Sequence, residues 1–203
     1  MERKIIETYE ESIREYKHYI MRHILAVQHI FAKYGSVIAK EIEKIFNPPE
    51  YYIHSRILPK CAFNIISHDQ SKFSDKEFDF YRAKFYPCKK DIEEMSQETI
   101  DELFENAWTH HYEHNAHHPE YWIITKNEPF TSRMSYEYFI EMICDWMAMS
   151  YTKGGTVKSW WYGGAYKEKE KTMHPEDFKV IEGLLNNCEM DYLTREMPSC
   201  EIP

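Results

Sequence analysis

The sequence lacks the alternation of apolar and polar residues that is typical of half-buried β-strands. Its first 46 residues contain one glycine, Gly35, and no proline, so few residues there disfavour a helix. Internal repeats and low-complexity linkers are also absent. We therefore predict an all-α fold of about six to eight helices, formed as a single domain over residues 1–203.

Other absences exclude whole classes of protein. No apolar run approaches the length of a membrane span, and the N-terminus has no apolar signal core. The five cysteines form no Cys-x-x-Cys pair, which favours reduced thiols in a cytosolic protein. A net charge of −9 argues against a basic face for duplex nucleic acid, although a small anionic ligand stays compatible with it. We expect a cytoplasmic protein that binds neither a membrane nor duplex nucleic acid.

Proline, glycine and capping residues divide the chain into predicted helices. A break is expected at Gly35, which makes 36–46 an inserted helix, and Pro59 is expected to kink or split the next one. Ser74 and Glu77 fit a capping box, with Ser74 as the cap. The predicted helices cover 3–33, 36–46, 51–68, 75–86, 97–114, 135–151 and 175–187, and a C-terminal tail follows at 188–203.

Histidines are concentrated in one stretch, T-H-H-Y-E-H-N-A-H-H, which occupies 109–118. The stretch is either a metal site or a polar surface turn that takes up metal opportunistically. Neighbouring tryptophans and tyrosines favour a packed wall and hence a functional role. The candidate ligands here are His110, His111, His117 and His118.

A single histidine in the first predicted helix is the next candidate. His23 shares a helix face with Tyr16, Tyr19, Val27 and Ile30, so its side chain is expected to point into the protein. A core histidine bonded to a backbone carbonyl has the same pattern, and taken alone His23 fits that interpretation better than a metal ligand.

His68 and Asp69 are adjacent and follow an apolar helix. A neutral imidazole and a carboxylate together suit zinc, iron or manganese, although a bare His-Asp dipeptide is common by chance. Lys72 lies one helical turn after Asp69, where it could hold a phosphate or carboxylate oxygen of a substrate.

Two acids lie four residues apart on the otherwise apolar helix 135–151. A charge at Asp145 costs several kcal/mol unless it is paired or coordinated, and Glu141 lies on the same face. Like charges in this position call for a cation between them or beside them. A metal ion and a buried lysine or arginine explain Asp145 equally well.

Taken together along the chain, these candidates follow the order H…HD…H…H…D. They supply nitrogen and oxygen ligands for one metal ion, with enough left for a second.

In this order of residues the chain resembles the HD-domain superfamily of metal-dependent phosphohydrolases. The resemblance implies an HD-domain-like helical bundle in which His23, His68-Asp69 and Asp145 hold a metal ion, with Asp69 as the bridge if two ions bind. It implies that histidines within 110–118 are the additional ligands of a dinuclear site. Lys72 stands where many members have a lysine after the HD pair.

A closer resemblance is to a family of uncharacterised proteins from bacteria and their phages. It rests on the blocks H-D-Q-S-K-F, A-W-T-H-H-Y-E-H-N-A-H-H-P-E-Y-W and E-M-I-C-D-W-M-A, and it covers roughly residues 15 to 187. It implies no activity of its own.

The working hypothesis is hydrolysis of a small phosphorylated metabolite or nucleotide by metal-activated water. The metal is one or two divalent ions of Mn, Fe, Zn or Ni. Catalytic roles are assigned to Lys72, to His111 and to Glu141. The segment 153–171 is either a flexible loop that closes over a nucleotide or an ordinary solvated turn. Two alternative functions stay open, a two-iron oxygenase and a non-catalytic module that binds a metal or ligand. A homodimer is also compatible with the sequence.

Overall fold

The computed structural model describes residues 5–46, 56–123 and 132–186. These residues form helices joined by turns, and apart from isolated bridges such as that between Ile6 and Cys88 they contain no β-strand. The all-α prediction is therefore confirmed. The predicted tail 188–203 lies outside the described residues.

The α-helices follow one another along the chain with short connections. They are α1 (Tyr9–Phe46), α2 (Leu58–Ile66), α3 (Phe78–Phe85), α4 (Lys89–Glu94), α5 (Gln97–His114), α6 (Tyr136–Lys153), α7 (Val157–Trp160), α8 (Tyr166–Thr172) and α9 (Pro175–Asn186). Short 3₁₀ turns occupy Gln70–Phe73 and Pro119–Trp122, and a π-helical turn occupies Trp161–Ala165.

The break predicted at Gly35 is wrong, because α1 continues through it as one helix of 38 residues. Buried side chains recur every four residues on both sides of the glycine, at Ile30, Tyr34, Ile38 and Ile42. Burial of that stripe outweighs the roughly 1 kcal/mol by which glycine disfavours a helix. The stretch 36–46 is therefore the second half of α1 and not an inserted helix.

The capping box predicted at Ser74 is also wrong, since α3 begins at Phe78 and Glu77 occupies its capping position without a side-chain cap hydrogen bond. Pro59 lies in the first turn of α2, where its missing N–H is tolerated, and the π-helical residues 56–57 come directly before this helix. The kink or split expected at Pro59 stays a prediction. The predicted start of that helix, 51–55, lies outside the described residues.

The segment 153–171, expected as a flexible loop or solvated turn, is largely helical. The side chains of Thr156 and Ser159 form a capping box at the start of α7. Trp161 is fully buried and its indole N–H donates to Glu182 on α9 at 2.5 Å. Burial of this ring holds the segment in place.

Backbone contacts divide the chain into two compact units. The first comprises Met1–Ile24 and Asp69–Asn115, and so contains the start of α1 together with α3, α4 and α5. Its core is aromatic, with Tyr16 and Tyr81 buried beside Ile20 and Ala107.

A buried ion pair also holds the first unit. Arg82 donates two hydrogen bonds of 2.7 Å to the carboxylate of Asp91 and a third to Ser12, also at 2.7 Å. Both charged groups of this pair are therefore hydrogen-bonded, as a buried charge requires.

The second unit comprises Leu25–His68 and Ala116–Pro203. Its core is aliphatic and sulfur-rich, and α6 supplies an unbroken run of ten buried residues from Phe139 to Ala148. Asp177 accepts hydrogen bonds from the backbone N–H of Met134 and from Arg133, which ties α9 to the start of α6. The predicted single domain over 1–203 stays a prediction.

Among the described residues, no helix combines the length and the apolar character that a membrane crossing requires. Cys61, Cys88 and Cys144 are buried, free thiols.

Candidate metal centre

Asp69 has a left-handed backbone, with φ 57° and ψ 17°. Among the described residues it is the only non-glycine residue with positive φ. Aspartate tolerates this conformation better than most residues, but at a cost that native structures usually accept at functional sites. The bend separates α2 from the turn Gln70–Phe73, and the Asp69 side chain is buried.

Within the first unit, the two oxygens of Asp69 face two different imidazoles. Oδ2 lies 3.4 Å from Nε2 of His23 on α1, and Oδ1 lies 3.3 Å from Nε2 of His111 on α5. Both histidines are buried. Lys72 adds a cation, with its Nζ 2.6 Å from Oδ2.

These two nitrogen–oxygen distances exceed the 2.7–2.9 Å or so of a charge-assisted hydrogen bond. Two ligand atoms that each lie about 2.0–2.1 Å from one tetrahedral ion are separated by roughly 3.3–3.4 Å. The spacing of Asp69 with His23 and with His111 therefore fits ligands of a divalent metal ion. Because each oxygen of Asp69 faces its own imidazole, the pattern also fits a carboxylate that bridges two ions.

Glu77 holds the far side of His111. Its Oε2 accepts from Nδ1 of His111 at 2.9 Å and from the hydroxyl of Ser71 at 3.0 Å, while its Oε1 accepts from Nδ1 of His110 at 2.7 Å. Asn115 donates to Ser71 at 2.7 Å and so closes the network. Both oxygens of one buried carboxylate are thus used to hold two consecutive histidines.

Aromatic rings enclose the imidazoles of the first unit. Tyr19 lies nearly parallel to the ring of His23, with centroids 6.4 Å apart. Trp108 stacks on His111 at 5.8 Å, and Tyr81 meets the same imidazole edge-on. Such ring contacts favour one orientation of each imidazole.

The second unit contains a similar group. Nδ1 of His68 lies 2.9 Å, and Nδ1 of His117 lies 3.1 Å, from the same Oε1 of Glu141 on α6. One ligand atom from each of these three buried residues lies within 4.8 Å of the others, so the group could hold a metal ion. Nε2 of His68 is turned to Asp145, 3.8 Å from its Oδ1.

The two glutamates are ionised in these environments. Burial by itself raises the pKa of Glu77, but hydrogen bonds from His111, His110 and Ser71 outweigh it and hold the pKa below its usual value. For Glu141, too, burial raises the pKa, and hydrogen bonds from His117 and His68 lower it by more.

The structure thus sorts the predicted ligands into two groups. His23, Asp69, Lys72, His110 and His111 belong to the first unit. His68, His117, His118, Glu141 and Asp145 belong to the second unit. In the second unit His118 is half-buried, and its ring lies 4.3 Å from that of His117. The histidine stretch 109–118 is therefore divided between the units after Asn115.

Sequence reasoning missed the role of Glu77. Its spacing from Ser74 matched a helix cap, and that local pattern concealed a side chain directed at histidines 33 and 34 residues later. The only sequence signal was that Glu77 lies eight residues after Asp69, close to the His-Asp pair.

The chain was compared with known proteins. Residues 12–187 match a family model described as a Family of unknown function (DUF5662). No curated protein matches the chain significantly, and neither does any solved structure.

Proposed function

We propose that this chain, which belongs to the DUF5662 family of unknown function, is a metal-dependent phosphohydrolase of a small phosphorylated metabolite or nucleotide. The observation that carries the proposal is the surrounding of Asp69. Each oxygen of this buried carboxylate faces a different imidazole nitrogen, one at 3.3 Å and the other at 3.4 Å. The ammonium of Lys72 also contacts the carboxylate. The resemblance to HD-domain phosphohydrolases supports the same reaction.

The donor set fits a divalent transition metal. Imidazole nitrogens with carboxylate oxygens suit zinc, iron, manganese and nickel, and availability then decides among them. Asp69, His23 and His111 would hold metal in the first unit, and His68 with Asp145 would do so in the second. The sequence-based expectation of one ion shared by His23, His68, Asp69 and Asp145 stays a prediction, as does a second ion.

A divalent ion in such a site lowers the pKa of a bound water and withdraws charge from a phosphoryl oxygen. The side chains of the site would supply the remaining charge stabilisation. Hydrolysis forms a bond from the water oxygen to phosphorus, breaks the bond from phosphorus to the ester oxygen and moves a proton from the water to that leaving oxygen. Negative charge on the phosphoryl oxygens has to be offset during this step. The Nζ of Lys72 is the group that offsets it, since this ammonium already lies at Oδ2 of Asp69.

Glu141 has a different role in this proposal from the catalytic one that the sequence suggested. Its carboxylate accepts from Nδ1 of both His68 and His117, and so it orients imidazoles and does not take a proton from water. His111 likewise acts at Nε2, the atom that faces Asp69, as a metal ligand. The three buried free cysteines support a reducing, cytoplasmic location.

The experiment is elemental analysis of tag-free protein, with His68→Ala and Asp69→Asn beside wild type. We expect about one or two transition-metal ions per wild-type chain and substantially less in each variant. The same preparations are tested for phosphate release from a chromogenic phosphate monoester and from a panel of nucleotides and sugar phosphates. Wild type that holds no more metal than the variants would overturn the proposal.

Two other results would point to the remaining functions. Two irons per chain, with an absorbance that changes on exposure to O₂, favour the oxygenase. Bound metal that raises the melting temperature, with no turnover on the whole panel, favours a non-catalytic module.

A further inference from the structure

Glu77 is the only acid of the first unit's network that we have not assigned to metal or substrate. Its side chain is fully buried. Its contacts are hydrogen bonds to His110, His111 and Ser71. Two of the three donors are imidazole nitrogens, and one of those imidazoles faces Asp69.

The chemistry of a carboxylate fixes which nitrogen of His111 carries a proton. An ionised carboxylate only accepts hydrogen bonds, so Nδ1 of His111 has to be the donor at 2.9 Å. In the neutral ring Nε2 then keeps its lone pair, and this is the atom that lies 3.3 Å from Oδ1 of Asp69. A lone pair that faces a carboxylate oxygen at this distance is repelled by it, so Nε2 needs either a second proton or a metal cation close to both atoms.

The surroundings restrict the ring further. The carbonyl of His111 accepts from Asn115 at 2.7 Å, and Trp108 stacks on the imidazole. Glu77 itself is held by the Ser71 hydroxyl, and Ser71 precedes Lys72 in the turn that follows Asp69. The carboxylate that directs the histidine is thus anchored to the short segment next to Asp69.

We propose that Glu77 is a positioning residue that fixes His111 in its Nδ1–H form, with Nε2 presented as a nitrogen ligand to a divalent cation at Asp69. This inference rests on the proposed function in that the ligand is a metal ion. The carboxylate also excludes the ring orientation in which Nδ1 would face Asp69.

The test combines metal affinity with a direct reading of the imidazole. Wild type, Glu77→Gln and the control Glu102→Gln, an exposed position on α5, are titrated with Zn²⁺ against a competing chelator. Glutamine keeps the volume of Glu77, but its NH₂ group meets one of the two imidazole donors. We expect Zn²⁺ affinity to fall about 10- to 100-fold in Glu77→Gln and to stay unchanged in Glu102→Gln.

Long-range ¹H–¹⁵N spectra at pH 8 report which nitrogen of His111 is protonated, with the signals assigned through His111→Gln. We expect a proton on Nδ1 in wild type and a mixture of tautomers in Glu77→Gln. A merely structural glutamate would lower the melting temperature of the metal-free protein and leave the tautomer and the Zn²⁺ affinity as they are.

The outcomes separate the two proposals. Unchanged affinity and tautomer in Glu77→Gln, in a wild type that binds Zn²⁺, overturn the positioning role and leave the proposed function standing. A wild type that binds no Zn²⁺ contradicts the proposed function, and the metal-free spectra then decide the tautomer. A wild-type His111 that carries a proton on Nε2 and none on Nδ1 overturns the positioning role in either case.

Discussion

His68 and Glu141 are 73 residues apart in the chain, yet Nδ1 of the histidine lies 2.9 Å from Oε1 of the glutamate. Both side chains are almost fully buried. The same oxygen also lies 3.1 Å from Nδ1 of His117. One carboxylate oxygen therefore orients two imidazoles of the second unit, as Glu77 orients two in the first.

Removal of Glu141 tests this relationship. In Glu141→Ala two buried imidazole donors lose their acceptor, and each unsatisfied group costs about 1–3 kcal/mol. We expect the free energy of unfolding to fall by roughly 2–4 kcal/mol in urea titrations. Glu176→Ala, which removes an exposed ion pair with Lys179, should leave the free energy of unfolding nearly unchanged. Equal effects of the two substitutions would show that the Glu141 contacts contribute little.

Two substitutions at Asp69 separate its backbone from its carboxylate. Asparagine tolerates the left-handed conformation and alanine does so poorly, while both remove the charge. We expect Asp69→Asn and Asp69→Ala to lose bound metal equally. In thermal and urea unfolding, Asp69→Ala should be less stable than Asp69→Asn by about 1–2 kcal/mol. Equal stability of the two variants would show that the positive φ carries no strain.

Lys72 is expected to affect metal binding and turnover in opposite directions. Its ammonium lies 2.6 Å from Oδ2 of Asp69, so it repels a second cation at that oxygen. In Lys72→Met we expect Zn²⁺ affinity to rise several-fold. Phosphate release should fall by about 10- to 100-fold, because charge on the phosphoryl group is no longer offset. A parallel loss of both quantities would instead make Lys72 a structural residue.

The buried pair of Arg82 and Asp91 predicts how stability depends on acid. Burial raises the pKa of Asp91, but Arg82 and the backbone N–H of Cys88 outweigh it and lower the pKa to about 2. The pKa is lower in the folded than in the unfolded chain. The contribution of ionised Asp91 to the free energy of unfolding is therefore complete at pH values above the ordinary aspartate pKa near 4. It is lost as the pH falls towards 2. It amounts to at most about 2 kcal/mol.

Urea unfolding at pH 6, 4 and 2.5 measures this loss, with Asp91→Asn as the control that lacks the titrating group. We expect wild type to lose more stability than Asp91→Asn over the lower part of this range. Parallel curves would contradict a lowered pKa.

Gly35 and Phe31 should be energetically coupled within α1. A Cβ built on Gly35 would lie 2.7 Å from the ring of Phe31, although alanine is the better helix former by about 1 kcal/mol. We expect Gly35→Ala to stabilise the chain in the Phe31→Ala background and to stabilise it less, or destabilise it, in wild type. A double-mutant cycle by urea unfolding measures the difference. Additive effects would mean that the ring moves aside freely.

The sequence predicted well what depends on neighbours in the chain. The helix predicted over 97–114 has those same bounds in the structure, because Ser96 caps it and apolar residues recur with helical spacing. Burial of His23 followed likewise from the residues on its face. Gly35 was misjudged because the buried stripe around it outweighs a local preference.

The contacts of the histidines could not be predicted in this way. That His111 contacts Glu77 while His117 contacts Glu141 depends on how separate elements pack, and the ten-residue stretch contains no sign that the two belong to different units. Residue types predicted a metal site, but they did not indicate which acids accept hydrogen bonds from Nδ1 of the histidines and which face Nε2.

The positive φ of Asp69 also limits how this position can evolve. Glutamate often replaces aspartate among related proteins, since both carry the same charged group, but its longer side chain is poorly accepted by this backbone. The residues that the backbone does accept, glycine and asparagine, carry no negative charge. Substitution at this position would therefore remove the negative charge of the candidate metal centre in a single step, without a charged intermediate.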